Sequence, residues 1–207
     1  IDITKSISLI GNGASSTTLM PGANTTLGGN VKSEAFIYID PLATVTIKDL
    51  TIDCNLKQIN HAIQSRGALT VEDCKIQNVK HSAYMGRGIV FFAGATGNLV
   101  KNVTFTNIER IGVHVRGNVA TPSPVAAIQN MTYTGKGTGT WLDYAVEFGG
   151  GGKGTVDNLN AQLCKGVASI DGSTSAGILV TDYYGTITEA TITNSTLTNN
   201  TTGIAVD

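Results

Sequence analysis

Residues that could carry acid–base chemistry occur on two short segments with the same pattern, residues 112–117 and 145–149. Each segment opens with Gly or Ala and then alternates with period two, which predicts a β-strand. If the strands stack in parallel, His114 lies one coil from Glu147 at about 5 Å, and Arg116 lies about 7 Å along the strand from His114. A guanidinium can hold a carboxylate through two hydrogen bonds, and His or Glu can move a proton at C5 of an acidic sugar. We therefore predict His114, Glu147 and Arg116 as candidate catalytic residues.

Further charged and aromatic residues are predicted to lie on or beside the same face. The candidate substrate-binding residues are Arg66, Arg87, Phe92, Trp141, Asp143 and Tyr144. Arginines bind carboxylates, and sugar rings stack on exposed aromatic side chains. The same charges are also compatible with a solvated surface on which they pair with each other. Trp141 is likewise compatible with a structural role in which its side chain caps the core. The sequence leaves both interpretations open.

The two segments belong to a repeat that extends over most of the chain. Equivalent segments begin at residues 62, 88, 112, 145, 177 and 203, and a second pattern lies between them: apolar, any residue, Asn or Asp, apolar, any residue, apolar. Its Asn or Asp falls at positions 49, 73, 102, 130, 158 and 194. Two strand types in constant order predict parallel stacking in a solenoid, with the Asn/Asp residues stacked at a corner. We predict a structural role for these six residues.

Composition narrows the classes of function. The chain has 207 residues, of which 41% are hydrophobic and 14% charged, so it can bury a full core. A net charge of −1 argues against nucleic acid and anionic membranes as partners, since both require clustered Lys or Arg. There is no apolar run long enough to insert into a membrane, and the three cysteines show no metal-binding or redox spacing. We expect a secreted or cell-surface protein without a metal or other cofactor.

The alternation of the two patterns resembles the right-handed parallel β-helix superfamily, the pectin-lyase-like fold of pectate lyases and polygalacturonases. The resemblance rests on residues 100–105 with 112–115 and on residues 192–197 with 203–206, and it covers about residues 36–207. It implies an all-β, right-handed parallel β-helix of about seven coils. We expect a single domain over residues 1–207, with residues 1–35 as an irregular first coil or N-terminal cap region.

The catalytic residues of that superfamily are not all present. Where polygalacturonases carry acidic residues before the Gly-Ile strand, this chain has Asn60-His61, Gly86-Arg87, Arg110-Ile111 and Asp143-Tyr144. The paired carboxylates of an inverting hydrolase and the clustered aspartates of a calcium site are therefore not carried over. Two functions remain open. One is a polysaccharide-active domain that binds an acidic glycan and processes it as a lyase, epimerase or glycoside hydrolase. The other is a non-catalytic, adhesin-like or glycan-binding module.

Overall fold

The computed structural model describes residues 1–26, 28, 30–81, 85–92, 94–118, 123–183 and 187–207, and the regular secondary structure within them is almost entirely β-strand. Its one helical element is a 3₁₀ turn, Val31–Glu34. In chain order the strands are β1 (Asp2–Ile3), β2 (Ile7–Ile10), β3 (Thr18–Leu19), β4 (Ala35–Ile39), β5 (Thr44–Lys48), β6 (Thr51–Asp53), β7 (His61–Ser65), β8 (Ala68–Glu72), β9 (Lys75–Val79), β10 (Arg87–Phe92), β11 (Asn98–Lys101), β12 (Thr104–Ile108), β13 (Ile111–Arg116), β14 (Val125–Gln129), β15 (Thr132–Gly137), β16 (Tyr144–Gly149), β17 (Lys153–Asp157), β18 (Asn160–Cys164), β19 (Ala176–Thr181), β20 (Glu189–Thr193), β21 (Thr196–Thr198) and β22 (Thr202–Val206).

These strands form three parallel sheets that run along the molecule. The first has the order β1-β4-β7-β10-β13-β16-β19-β22, the second β2-β5-β8-β11-β14-β17-β20 and the third β3-β6-β9-β12-β15-β18-β21. Each coil contributes one strand to each sheet, and the stack makes a solenoid of about six turns. The prediction of an all-β parallel solenoid is confirmed. The right-handed sense of the solenoid stays a prediction.

Residues 1–35 form the first layer of the stack. Strands β1, β2 and β3 pair in parallel with β4, β5 and β6, so this region continues the solenoid in spite of its irregular sequence.

The predicted column of Asn and Asp residues lies at one corner, between the second and third sheets. All six residues have a positive φ between 48° and 56°, the left-handed conformation that Asn and Asp tolerate best. The side-chain amide of Asn130 donates to Asn102 at 3.0 Å, and that of Asn158 donates to Asn130 at 2.8 Å. The column is interrupted at Asn194, whose amide donates instead to Asp157 at 2.8 Å. The ladder is therefore a structural feature of the corner, as predicted.

Replacing Asn130 with leucine should destabilise the fold without affecting a ligand site. The change removes two ladder bonds and places a branched side chain at a φ of 51°, for an expected loss of about 1–3 kcal/mol. Urea unfolding would measure it, with Asn160→Leu as the matched control at an exposed position of β18. A folded Asn130→Leu protein as stable as the control, but deficient in ligand binding, would contradict the structural role.

Some strands of the first sheet carry two consecutive buried residues near their start, where strict alternation would direct one of them outward. Ala145 and Val146 of β16 both belong to the buried core, as do Ala62 and Ile63 of β7. The equivalent position in β13 is a glycine for a steric reason: a Cβ at Gly112 would lie 2.6 Å from the Ala145 carbonyl oxygen and 2.8 Å from the Tyr133 ring. Strict alternation did not predict these consecutive buried residues.

Candidate functional site

The outer face of the first sheet presents three columns of side chains. The register aligns His61, Arg87, Ile111, Tyr144 and Ala176 in the first column, and Gln64, Val90, His114, Glu147 and Leu179 in the second. The third column contains Phe92, Arg116, Gly149 and Thr181, and Arg66 follows β7 at the same level. The predicted stacking of these residues on successive coils is confirmed by this register.

We use the name arginine face for the surface formed by these columns and their flanks, defined by Arg66, Arg87, Arg110, Arg116, Phe92, His114 and Glu147. The four arginines are all the arginines of the chain, whereas its ten lysines are spread from Lys5 to Lys165. Two of the three histidines, His61 and His114, lie on the same face. This concentration of one residue type beside the strands of one sheet is a signal that can be read from the sequence.

His114 and Glu147 are in contact, as their register predicts. The distance from His114 Nε2 to Glu147 Oε1 is 3.2 Å, although the two groups are not aligned as a hydrogen bond. On a solvated outer face both side chains would be exposed, but His114 has no accessible surface and Glu147 is 4% exposed. Surrounding protein atoms cover His114 completely and Glu147 almost completely, and Arg87 is 5% exposed, so the open part of the arginine face consists of the half-buried Arg66, Arg110 and Arg116.

The charge states of the covered groups follow from burial and from the nearby arginines. Burial, reinforced by the guanidiniums of Arg87 and Arg116, lowers the pKa of His114 well below its usual value, and the same causes act on His61. Burial raises the pKa of Glu147, while the guanidiniums of Arg87, Arg110 and Arg116 oppose that shift. Both histidines are therefore neutral at pH 7, and Glu147 is the better proton-transfer group of the contacting pair.

Phe92 serves as a platform for guanidiniums. The guanidinium carbon of Arg66 lies 5.1 Å from the ring centroid and that of Arg116 lies 5.5 Å from it, one from the strand on each side. The ring of His61 meets Phe92 edge-on at 5.9 Å between centroids. These contacts hold both guanidiniums beside the Phe92 ring. Stacking of a sugar on Phe92 itself was predicted, but the arginines occupy its neighbourhood.

Two predicted binding residues lie within the packed structure. The Asp143 carboxylate accepts hydrogen bonds from the Tyr133 hydroxyl and, at 2.7 Å, from the Lys136 amide. Burial raises the pKa of Asp143. The Tyr144 hydroxyl donates to the Thr174 carbonyl at 3.1 Å, and its ring is 5% exposed. The structure thus does not bring Asp143 to the arginine face, and it places Tyr144 beneath the accessible surface.

Trp141 lies beside the arginine face, in a pocket of about 270 Å³ that we call the entrance pocket. The pocket is lined by His81, Met85, Glu109, Arg110, Thr140, Trp141, Leu142, Ala168, Ser169 and Ile170. Arg110 belongs to both surfaces and connects them.

Two buried amides were not predicted as site residues. Neither amide atom of Gln64 has a hydrogen-bond partner among the described residues, and the same is true of Asn60. Both side chains are fully buried, Gln64 in the second column and Asn60 just before β7. Buried polar groups are normally satisfied, so these amides mark the region as one that accommodates water or a ligand.

Comparison of the chain with protein-family models, curated proteins and solved structures finds no match in any of the three. The described segments contain no group of three or more His, Cys, Asp or Glu side chains arranged to hold a metal ion. Within the same segments, no helix is long and apolar enough to cross a membrane.

Proposed function

We propose that this chain binds an acidic glycan along the arginine face. The supporting observation is that all four arginines of the chain lie on this face, in or directly beside β7, β10 and β13. Three of them, Arg66, Arg110 and Arg116, are half-buried and reach solvent, and the guanidiniums of Arg66 and Arg116 lie against the Phe92 ring. Guanidiniums clustered on one accessible face favour a ligand that carries carboxylates.

A polymer of uronic acids fits this surface because the arginines follow one another along the solenoid axis. Residues Arg66, Arg87 and Arg116 come from three successive coils, which are about 5 Å apart. Each guanidinium can bind a carboxylate through two parallel hydrogen bonds. The resemblance to the pectin-lyase-like superfamily supports the same class of ligand. Secretion, or display on the cell surface, accompanies this proposal.

The contact between His114 and Glu147 favours a second candidate function, lyase or epimerase chemistry on the same glycan. In β-elimination, Glu147 would accept the C5 proton of a uronate as the C4–O bond breaks. The electron pair of the C5–H bond forms the C4=C5 double bond, and the departing glycosidic oxygen takes up a proton. His114 has no accessible surface, so its part would be to orient the Glu147 carboxylate at 3.2 Å. A non-catalytic, adhesin-like module would need the arginines alone.

Calorimetric titration with pectate, alginate and hyaluronan tests the proposal, with methyl-esterified pectin as the neutral control. We expect binding of at least one acidic polymer, weakening as salt is added, and no comparable binding of the esterified polymer. Ultraviolet absorbance of unsaturated products in the same samples separates enzyme from binder. Product formation that Glu147→Gln abolishes, with binding retained, would support the second function. Equal affinity for pectate and its ester would contradict recognition of carboxylates.

A further inference from the structure

The entrance pocket is built by four consecutive connections that lead into the first sheet. It lies where the chain approaches β10, β13, β16 and β19, at His81 and Met85, at Glu109 and Arg110, at residues 140–142 and at residues 168–170. Its mouth is at Ile170, which is 77% exposed. The pocket is thus an extension of the arginine face toward the start of its strands, and Arg110 stands at the junction.

The polar groups of the pocket are held in place by contacts outside it. The Glu109 carboxylate is 3.0 Å from Lys136 Nζ and 3.3 Å from Lys80 Nζ. The Arg110 guanidinium also acts on a carboxylate, that of Asp171, whose pKa is lowered by local hydrogen bonds and, in addition, by this guanidinium. The two lysines and Arg110 are thus three cations beside two carboxylates, Glu109 and Asp171, which leaves a net charge of +1. This net positive charge favours an anionic group, and Arg110 is the cation among the residues that line the pocket.

Trp141 supplies the aromatic wall. Lys136 Nζ lies 4.8 Å from its ring centroid, and Gly139 packs so closely that a Cβ there would come within 2.1 Å of the ring. The indole Nε1 is buried without a hydrogen-bond acceptor among the described residues. A fixed aromatic ring and an unsatisfied buried donor beside a guanidinium are the features that recognise a hydroxylated ring bearing a carboxylate.

We propose that the entrance pocket holds the terminal uronic acid residue of the glycan, with its carboxylate at Arg110 and its ring at Trp141. This inference rests on the proposed binding of an acidic glycan. A volume of about 270 Å³ is just below the roughly 300–1,000 Å³ of small-molecule pockets, which suits one sugar residue better than a stretch of polymer. The following residues of the glycan then extend from the pocket along the arginines, so the protein recognises a chain end.

Fluorescence provides a selective test, because Trp141 is the only tryptophan of the chain. The chain is titrated with trimers prepared from pectate, alginate and hyaluronan, and with the intact polymers. We expect both trimer and polymer to change the emission of Trp141, and polymers of two different lengths to share one midpoint when concentration is counted in chain ends. A midpoint that follows the total number of sugar residues instead would overturn recognition of a terminal residue.

A pair of arginine variants distinguishes the pocket from the rest of the face. Arg110→Ala should weaken the trimer response of Trp141 about tenfold or more, and Arg110→Lys should recover part of it. The matched variant Arg66→Ala, outside the pocket, should weaken polymer binding in the calorimeter while Trp141 still responds to trimers. If the calorimeter detects binding of a polymer while the emission of Trp141 does not change, the entrance pocket does not hold the terminal residue, and the proposed function still stands. Absence of calorimetric binding to every acidic polymer would remove the proposed function and this inference together.

Discussion

Replacing Arg116 with alanine is expected to weaken binding of a uronic acid polymer by about 10- to 100-fold, the loss that corresponds to a charge-assisted hydrogen-bonded pair. Arg116 is half-buried, and its guanidinium is oriented by Phe92 at 5.5 Å. Arg116→Lys should restore only part of the affinity, because an ammonium keeps the charge but cannot bind a carboxylate in the same two-bond geometry or stack on the ring in the same way. Calorimetric titration of each variant with the same polymer measures both effects.

The control for this experiment is a cation of equal charge on another sheet. Lys101 lies on β11 and pairs with Glu72 at 2.9 Å, and Lys101→Ala changes the net charge as Arg116→Ala does. A general electrostatic attraction would make the two variants equivalent. Binding through the arginine face requires that Arg116→Ala lose affinity while Lys101→Ala retains most of it. Parental affinity in the Arg116→Ala protein would show that this guanidinium is an ordinary surface charge.

The sequence predicted the stack because its signals repeat in every coil. Asn102 and Asn130 could be placed at a corner because an Asn or Asp recurs at that position in every copy of the pattern. The register of His114 with Glu147 followed from the spacing of the strands. A second corner column was missed although it has the same origin. Asn107 donates to Asn78 at 2.8 Å, and both have a positive φ. These residues stand five positions after members of the first column, a spacing that could have revealed them.

The burial of the site could not be predicted from periodicity. His114 and Glu147 were expected on an open face, but both are buried, and the repeat gives their alignment without showing what packs over them. Asp143 shows the same limit in a different way. Its partner Tyr133 lies ten residues earlier and faces the core, so the direction of the carboxylate depends on the packing of one long connection. A repeat determines which residues align, whereas irregular segments determine which of them a ligand can reach.

Acidification from about pH 7.5 to about pH 5.5 is expected to lower the free energy of unfolding, because the buried neutral histidines must remain uncharged in the fold. His61 and His114 have folded pKa values well below the usual value, whereas the unfolded chain takes up their protons near about pH 6.5. The unfolded state therefore binds more protons as the pH falls, and stability present above that pH is lost below it. Each histidine contributes up to about 1.4 kcal/mol per pH unit in this window. Glu147 acts in the opposite direction, because its pKa is raised and the folded state binds its proton first.

Two variants separate these contributions in urea unfolding experiments. Burial lowers the pKa of His81 as well, so three histidines contribute, and His114→Gln removes one of the two that lie deepest. The loss of stability between about pH 7.5 and 5.5 should therefore become smaller. Glu147→Gln removes the opposing contribution, so the loss should become steeper. The comparison uses the change with pH within each protein, which cancels the effect of a substitution on stability at neutral pH.

The histidines should dominate the pH dependence of stability in the parent protein. The guanidiniums of Arg87 and Arg116 act on both His61 and His114 and keep them neutral, whereas three guanidiniums oppose the rise in the pKa of Glu147. Stability that stays constant or rises on acidification, with a His114→Gln profile parallel to the parent, would show that His114 is protonated or open to water in the fold. In that case His114 would not be the covered residue that orients the Glu147 carboxylate in the second candidate function.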